Sequence, residues 1–235
     1  MRQILLRHHS PLALAAIALV ALGLALPGAQ AQPPDAARTA MRTATSPDTA
    51  LMYGMRRLWA DHVTYTRFYI ISAAAQLPDK EANAQRLMKN QEDIGNAIKP
   101  YYGDEAGAKL TGLLKDHITI ATEIVDAAMA GDAGKQSTAS TRWTANADEI
   151  AAMLSGANPN WPRADLQRML HSHLELTTNE VKAHLGKDWT GSIAAFDAIR
   201  AQARDMADAL SSGIAKQFPE KMKMNVKGKV KGLQQ

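Results

Sequence analysis

Three stretches of this chain set a histidine in nearly the same surroundings: LWADHVTYT at residues 58–66, LLKDHITIA at 113–121 and MLHSHLELT at 169–177. They place His62, His117 and His173 on apolar helix faces, His117 with Leu113, Ile120 and Ile124, and His173 with Met169, Leu170 and Leu176. A buried imidazole needs hydrogen-bond partners. If the three imidazoles converged, with a fourth position open, they would suit zinc or copper. A carboxylate on the second ring nitrogen of each would then fix its tautomer. Asp93, Glu149 and Asp205 are the acids whose distance from the intervening turn matches that of His62, His117 and His173 in turn. The other reading of the same residues is structural, each histidine and its acid locking one helical hairpin. A haem held by two of the histidines is a weaker option, since it needs no local motif. The Glu-x-x-His pattern of ferritin-like metal centres is absent. With no cysteine in the chain, thiolate metal sites, disulfides, c-type haem attachment and a cysteine nucleophile are excluded.

A second polar feature lies on the third of these segments. Where the second has Ile124, the third has Glu180, so His173, Thr177, Glu180 and His184 form a polar stripe on an otherwise apolar face. His173 and Glu180, seven residues apart, stand about 10 Å apart along a helix axis, too far to share one ion. The expectation is that Thr177, Glu180 and His184 line a cavity. The alternative is simple exposure of His184 at a helix end.

Helices must position these groups. Apolar residues recur at helical spacing, as in Leu51, Met55, Leu58, Tyr65 and Tyr69, and no run alternates with a period of two. Breakers fall at Leu77-Pro78-Asp79, Lys99-Pro100, residues 131–134, residues 158–162 and residues 186–188, predicting six helices. Laid over each other at a shift of 56, residues 90–132 and 146–188 agree at ten positions, among them Asn90 with Asn146 and His117 with His173. A shift of 55 carries Leu58, Asp61 and His62 onto Leu113, Asp116 and His117. The predicted fold is therefore all-α, a six-helix bundle built from three αα-hairpin repeats of about 56 residues. Asn90, Asp93 and Asn96 form a polar run whose expected role is hydrogen bonding at a close helix crossing permitted by Gly95.

The ends of the chain read differently. Arg2 and Arg7, the apolar run from Leu12 to Leu26 and the triplet Ala29-Gln30-Ala31 have the layout of a secretory signal peptide cleaved after Ala31. The apolar run is shorter than the roughly 20 residues a spanning helix needs. The expected domains are a leader at 1–31, a linker at 32–49, the bundle at 50–219 and a disordered basic tail at 220–235. The expected location is the periplasm, without stable membrane insertion. The leader holds two arginines and the tail five lysines against one acid, so of the formal charge of +4 the body keeps about −2. That argues against a nucleic-acid partner, whose binding needs a basic patch on the folded domain.

The runs LW-x-x-H-x-x-Y-T-R (58–67), NQEDIGNAIKPYYG (90–103), LLKDHI (113–118), ANADEIAAMLSGANPNW (145–161), HLELTTNEV (173–181) and GIAKQFP (213–219) are similar to a group of small bacterial all-helical proteins. The resemblance covers nearly all of Leu51 to Pro219. It implies an all-α fold and no particular activity. A phosphate-cradling glycine loop and a doubly wound sheet pattern are both missing. The functional expectation is an exported, non-enzymatic binding protein whose histidine and carboxylate core holds a transition metal. The alternative is a structural or partner-binding bundle with no metal.

Overall fold

The computed structural model describes residues 46–223. Five α-helices make up the fold: α1 Pro47–Ala74, α2 Lys80–Met129, α3 Ala133–Ala157, α4 Arg163–Leu185 and α5 Trp189–Gln217, followed by a short 3-10 turn, Pro219–Met222. There is no strand among the described residues, and none of their helices is long and apolar enough to cross a membrane. The expected leader with its cleavage after Ala31, linker residues 32–45 and the tail beyond Lys223 lie outside the described residues. Pro47 occupies the first turn of α1, where its missing N–H costs nothing. Helix therefore begins three residues before the expected boundary at 50. The first tail residues form the 3-10 turn, and the Lys221 ammonium donates to the Pro100 carbonyl over the rings of Tyr101 and Phe218.

Three helix ends close in the same way. Gln76, Gly131 and Lys187 adopt positive φ (52°, 67° and 60°). The amide after each reaches back to a carbonyl in the last helical turn: Leu77 N to Ser72 O at 2.8 Å, Asp132 N to Ala127 O at 3.0 Å, Asp188 N to Ala183 O at 2.9 Å. This left-handed closure satisfies carbonyls that a helix end leaves open. Asp132 and Asp188 then start the next helix, accepting from Lys135 N and Gly191 N through their side chains.

The helix count is five where six were expected, because Lys99-Pro100 does not end a helix. Helical hydrogen bonding runs past Pro100, and the break comes at Gly103, whose φ of 85° and ψ of 171° leave the helical region without ending the run. Positive φ is open to glycine at no steric cost. Beyond it the chain doubles back. A Cβ on Gly95 would lie 2.6 Å from Gly107 O and 1.9 Å from Thr111 Oγ1. In a straight helix, residues 95 and 107 would be about 18 Å apart. The two arms of α2 thus pack against each other with almost no space between their backbones, and Lys115 reaches Glu92 across them at 2.6 Å. The close crossing expected at Gly95 is this one.

Packing closes a circuit. Helix α1 lies against α2 and α5, α3 against α2 and α4, and α4 against α5. The seam between α1 and α5 is pinned by Arg56, whose Nε and Nη2 donate to the two carboxylate oxygens of Asp208 at 2.5 and 2.7 Å. The main core gathers Met55, Ile94, Leu114, Ile150, Leu170 and Met206 from all five helices.

Candidate functional site

His62, His117 and His173 form one buried layer, 3%, 3% and 4% exposed. On the Met55, Leu114 and Met206 side lies an apolar void, and on the Ile70, Ile118 and Val181 side lies a second. Each has room for about one water molecule and exposes no polar surface to hold it, so both are expected to be dry. The rings of His62 and His173 approach to 5.6 Å between centroids. His117 lies against Trp143 at 5.0 Å, and His62 against Trp59 at 5.5 Å.

The partners of the imidazoles are amides, which corrects the expected pairing with carboxylates. His117 Nδ1 meets Asn146 Oδ1 at 2.9 Å, His173 Nδ1 meets Gln202 Oε1 at 3.0 Å, and His62 Nδ1 meets Gln91 Nε2 at 3.3 Å, each across 29 residues. Asp93, Glu149 and Asp205 stand two or three residues further along the same helices and do not face the histidines. Glu149 and Asp205 are exposed, and Asp93 takes an ion pair from Lys89 at 3.2 Å. Burying a carboxylate beside a neutral imidazole would cost far more than burying an amide that can satisfy both of its ends.

The hydrogen bonds assign the tautomers. Asn146 Nδ2 donates to Leu113 O at 3.0 Å and Gln202 Nε2 to Met169 O at 2.9 Å. Their oxygens must therefore accept, and His117 and His173 carry the proton on Nδ1. The first segment solves the problem with two residues. Asn90 Nδ2 donates to Leu58 O at 3.0 Å, as its counterparts do, but Asn90 stands only 28 residues beyond His62 and leaves the ring to its neighbour Gln91. Gln91 Nε2 also donates to Leu87 O at 2.8 Å and lies 3.2 Å from Asn90 Oδ1. Those two oxygens forbid turning the amide over, so His62 Nδ1 accepts and its proton sits on Nε2. Gln91 Oε1 and Trp59 Nε1 are left buried without partners among the described residues.

Electrostatics keep the layer neutral. Burial pushes the His117 imidazole down to about 3, with His173 adding to the shift and the Asn146 hydrogen bond opposing it. Burial also holds His62 well below its ordinary value, reinforced by His173 and His117 and opposed by Gln91. His173 is lowered by burial against the pull of Gln202. Among the described residues, no carboxylate oxygen lies within 4.0 Å of the nitrogens of these three rings; the one histidine so paired is His171, with Asp148.

His62, His117 and His173, the expected metal ligands, share one layer without their expected acids. Among the described residues, no group of three or more His, Asp or Glu side chains is placed to hold an ion. The expected acids lie outside the layer, Glu149 and Asp205 exposed and Asp93 half-buried, and each Nδ1 is spent on an amide. The stripe is also divided. Thr177 turns its hydroxyl back to His173 O at 2.8 Å and touches the second void, whereas Glu180 and His184 line neither. Glu180, 1% exposed, takes a hydrogen bond from Arg67 Nη1 at 2.5 Å. Burial raises its carboxyl, and Arg67 pulls it back. The same Arg67 nitrogen lies 3.3 Å from Ser192 O and Oγ, and His184 Nδ1 is 3.3 Å from that hydroxyl.

Sequence reasoning missed Gln91, Gln202 and Arg67. The signal for Gln202 was present, since Asn90, Asn146 and Gln202 form an amide column at intervals of 56. Nothing local marks Arg67 as the partner of a residue 113 positions away. Comparison with protein-family models, curated proteins and solved structures returned no match to this chain.

Proposed function

We propose that this chain is an exported, non-catalytic helical bundle that works through its surface as a binding or scaffold protein, with its histidines serving as structural keystones. The observation that carries this reading is the double use of each amide. Asn146 and Gln202 hold an imidazole with one end and cap a carbonyl of that imidazole's own helix with the other, and Asn90 and Gln91 divide the task between them. Such a clamp fixes the crossing of two helices.

On this reading the two arms of α2 belong to different repeats, and the bundle is three hairpins of about 56 residues. The positive-φ residues Gln76, Gly131 and Lys187, at intervals of 55 and 56, support it. The test is a set of His117→Gln and His173→Gln variants of protein secreted to the periplasm. Stability should fall while metal content, measured by elemental analysis, stays the same as in the parent. Stoichiometric metal in the parent, lost in the variants, would overturn the proposal.

A second reading retains a transition metal, and the 5.6 Å approach of the His62 and His173 rings favours it. Zinc or copper would then bind near one per chain, and His62→Gln would abolish that binding while His171→Gln would not.

A further inference from the structure

We propose that the seam between α1 and α5 carries a binding site for a phosphate monoester. An open groove of about 360 Å³ runs there, lined by Arg56, Ala60, Asp197, Arg200, Ala201 and Arg204. Ala60 and Ala201 keep its floor low, one from each helix. Arg56 enters preorganised: Asp208 holds its Nε and Nη2, which leaves Nη1 unused by any described residue. Arg200 and Arg204 are one helical turn apart on α5, both exposed. Neither has an acid within 4.0 Å among the described residues, whereas Arg67, Arg86, Arg142 and Arg168 each have one. Three guanidinium groups against two carboxylates, Asp197 and Asp208, leave the groove with a surplus of one positive charge.

The geometry selects the ligand class. A planar carboxylate presents its lone pairs in one plane, where a single guanidinium fork meets both oxygens. Guanidinium groups arriving from two helices suit a tetrahedral oxyanion, whose oxygens face several directions, and arginine is the side chain best shaped for it. The phosphate could belong to a soluble monoester or to a lipid headgroup, and the experiment separates the two. The inference rests on the reading of the bundle as one that works through its surface. Its failure would leave the metal-content test of that reading intact.

The experiment is an NMR titration of the folded protein with inorganic phosphate, following the Nε–Hε signals of the arginines, with a parallel sedimentation assay on phosphatidylcholine vesicles with and without phosphatidic acid. Saturable shifts at Arg56, Arg200 and Arg204 are expected. Each lost charged hydrogen bond is worth enough that Arg200→Gln or Arg204→Gln should weaken binding by about tenfold or more. Arg168→Gln should change nothing. Circular dichroism of the variants checks that the exposed substitutions leave the fold intact. Binding to phosphatidic acid vesicles that falls with the same variants assigns the lipid source; saturable phosphate binding without vesicle binding assigns a soluble monoester. Shifts that never saturate, or that are as large at Arg142 and Arg168, would overturn the site, as would a double variant that binds as the parent does.

Discussion

Lowering the pH from about 7.5 to about 5 should destabilise this fold far more than an ordinary bundle, because its centre holds three imidazoles that must stay neutral. An unfolded histidine titrates near 6.5, whereas folded His117 titrates near 3. Between those values the unfolded chain binds a proton that the folded chain refuses, so stability is lost as pH falls through 6.5, and the loss continues until about 3. At pH 5 the unfolded state gains about 2 kcal/mol from one such group, approaching about 5 kcal/mol below pH 3. His62 and His173 are shifted in the same direction. Their refusal of protons adds to the loss from His117, which alone is a large fraction of the stability of a typical domain. Glu180 works in the opposite sense, since its raised carboxyl takes up a proton in the fold more readily as the pH falls toward the carboxylate range. Urea unfolding at several pH values, followed by far-ultraviolet circular dichroism, reads the effect directly. The slope of unfolding free energy with pH between 6 and 5 should approach about 1.4 kcal/mol per pH unit from His117 alone, and His117→Gln should remove that share. A total loss below about 1 kcal/mol over the range, with an unchanged denaturant dependence, would refute the claim that the layer is kept neutral.

Three further outcomes follow from single contacts. Arg67→Ala strands the buried Glu180 carboxylate and should cost about 3–5 kcal/mol in urea unfolding, with Glu180→Gln on the same background recovering part of the loss. Gly95→Ala places a methyl group against Gly107 O and Thr111, and should cost about 1–3 kcal/mol or more as the α2 arms separate, visible as a lower melting temperature. Gln76→Gly and Lys187→Gly relieve side chains held at positive φ and should each raise stability by up to about 1 kcal/mol, whereas an alanine at Gly131 should lower it.

The helices were legible in the sequence because the apolar period and most of the breakers act locally. Residues 131–134, 158–162 and 186–188 end helices where expected. Pro100 misled because a proline removes one hydrogen bond and biases the residue before it, which hydrogen bonding on either side can bridge. The turn waited for Gly103, the residue able to take positive φ. The histidine layer was legible for a similar reason, since its three members share a register visible as a repeat. Their partners were assigned by counting from the turns, and that count errs by the two or three residues that separate Gln91 from Asp93, Asn146 from Glu149 and Gln202 from Asp205. Over that distance a helix face rotates from core to solvent, and the preference for an amide in a dry site decides the matter where counting cannot. The Arg67–Glu180 and Arg56–Asp208 pairs were out of reach because they join helices at opposite ends of the chain.

The clasp between Arg56 and Asp208 bears on how the protein is made. Those residues are separated by 152 positions, and at about 5–20 residues per second a ribosome needs about 8–30 s to pass from one to the other. Throughout that interval the face of α1 that will meet α5 has no partner, and until residue 173 is made His62 also waits for the ring of His173. Hairpins form in far less time, so the nascent chain passes through a half-built ring with an apolar inner wall open to water. Aggregation during synthesis would therefore begin on that wall, and a holding chaperone that covers α1 until the last helix arrives would raise the yield.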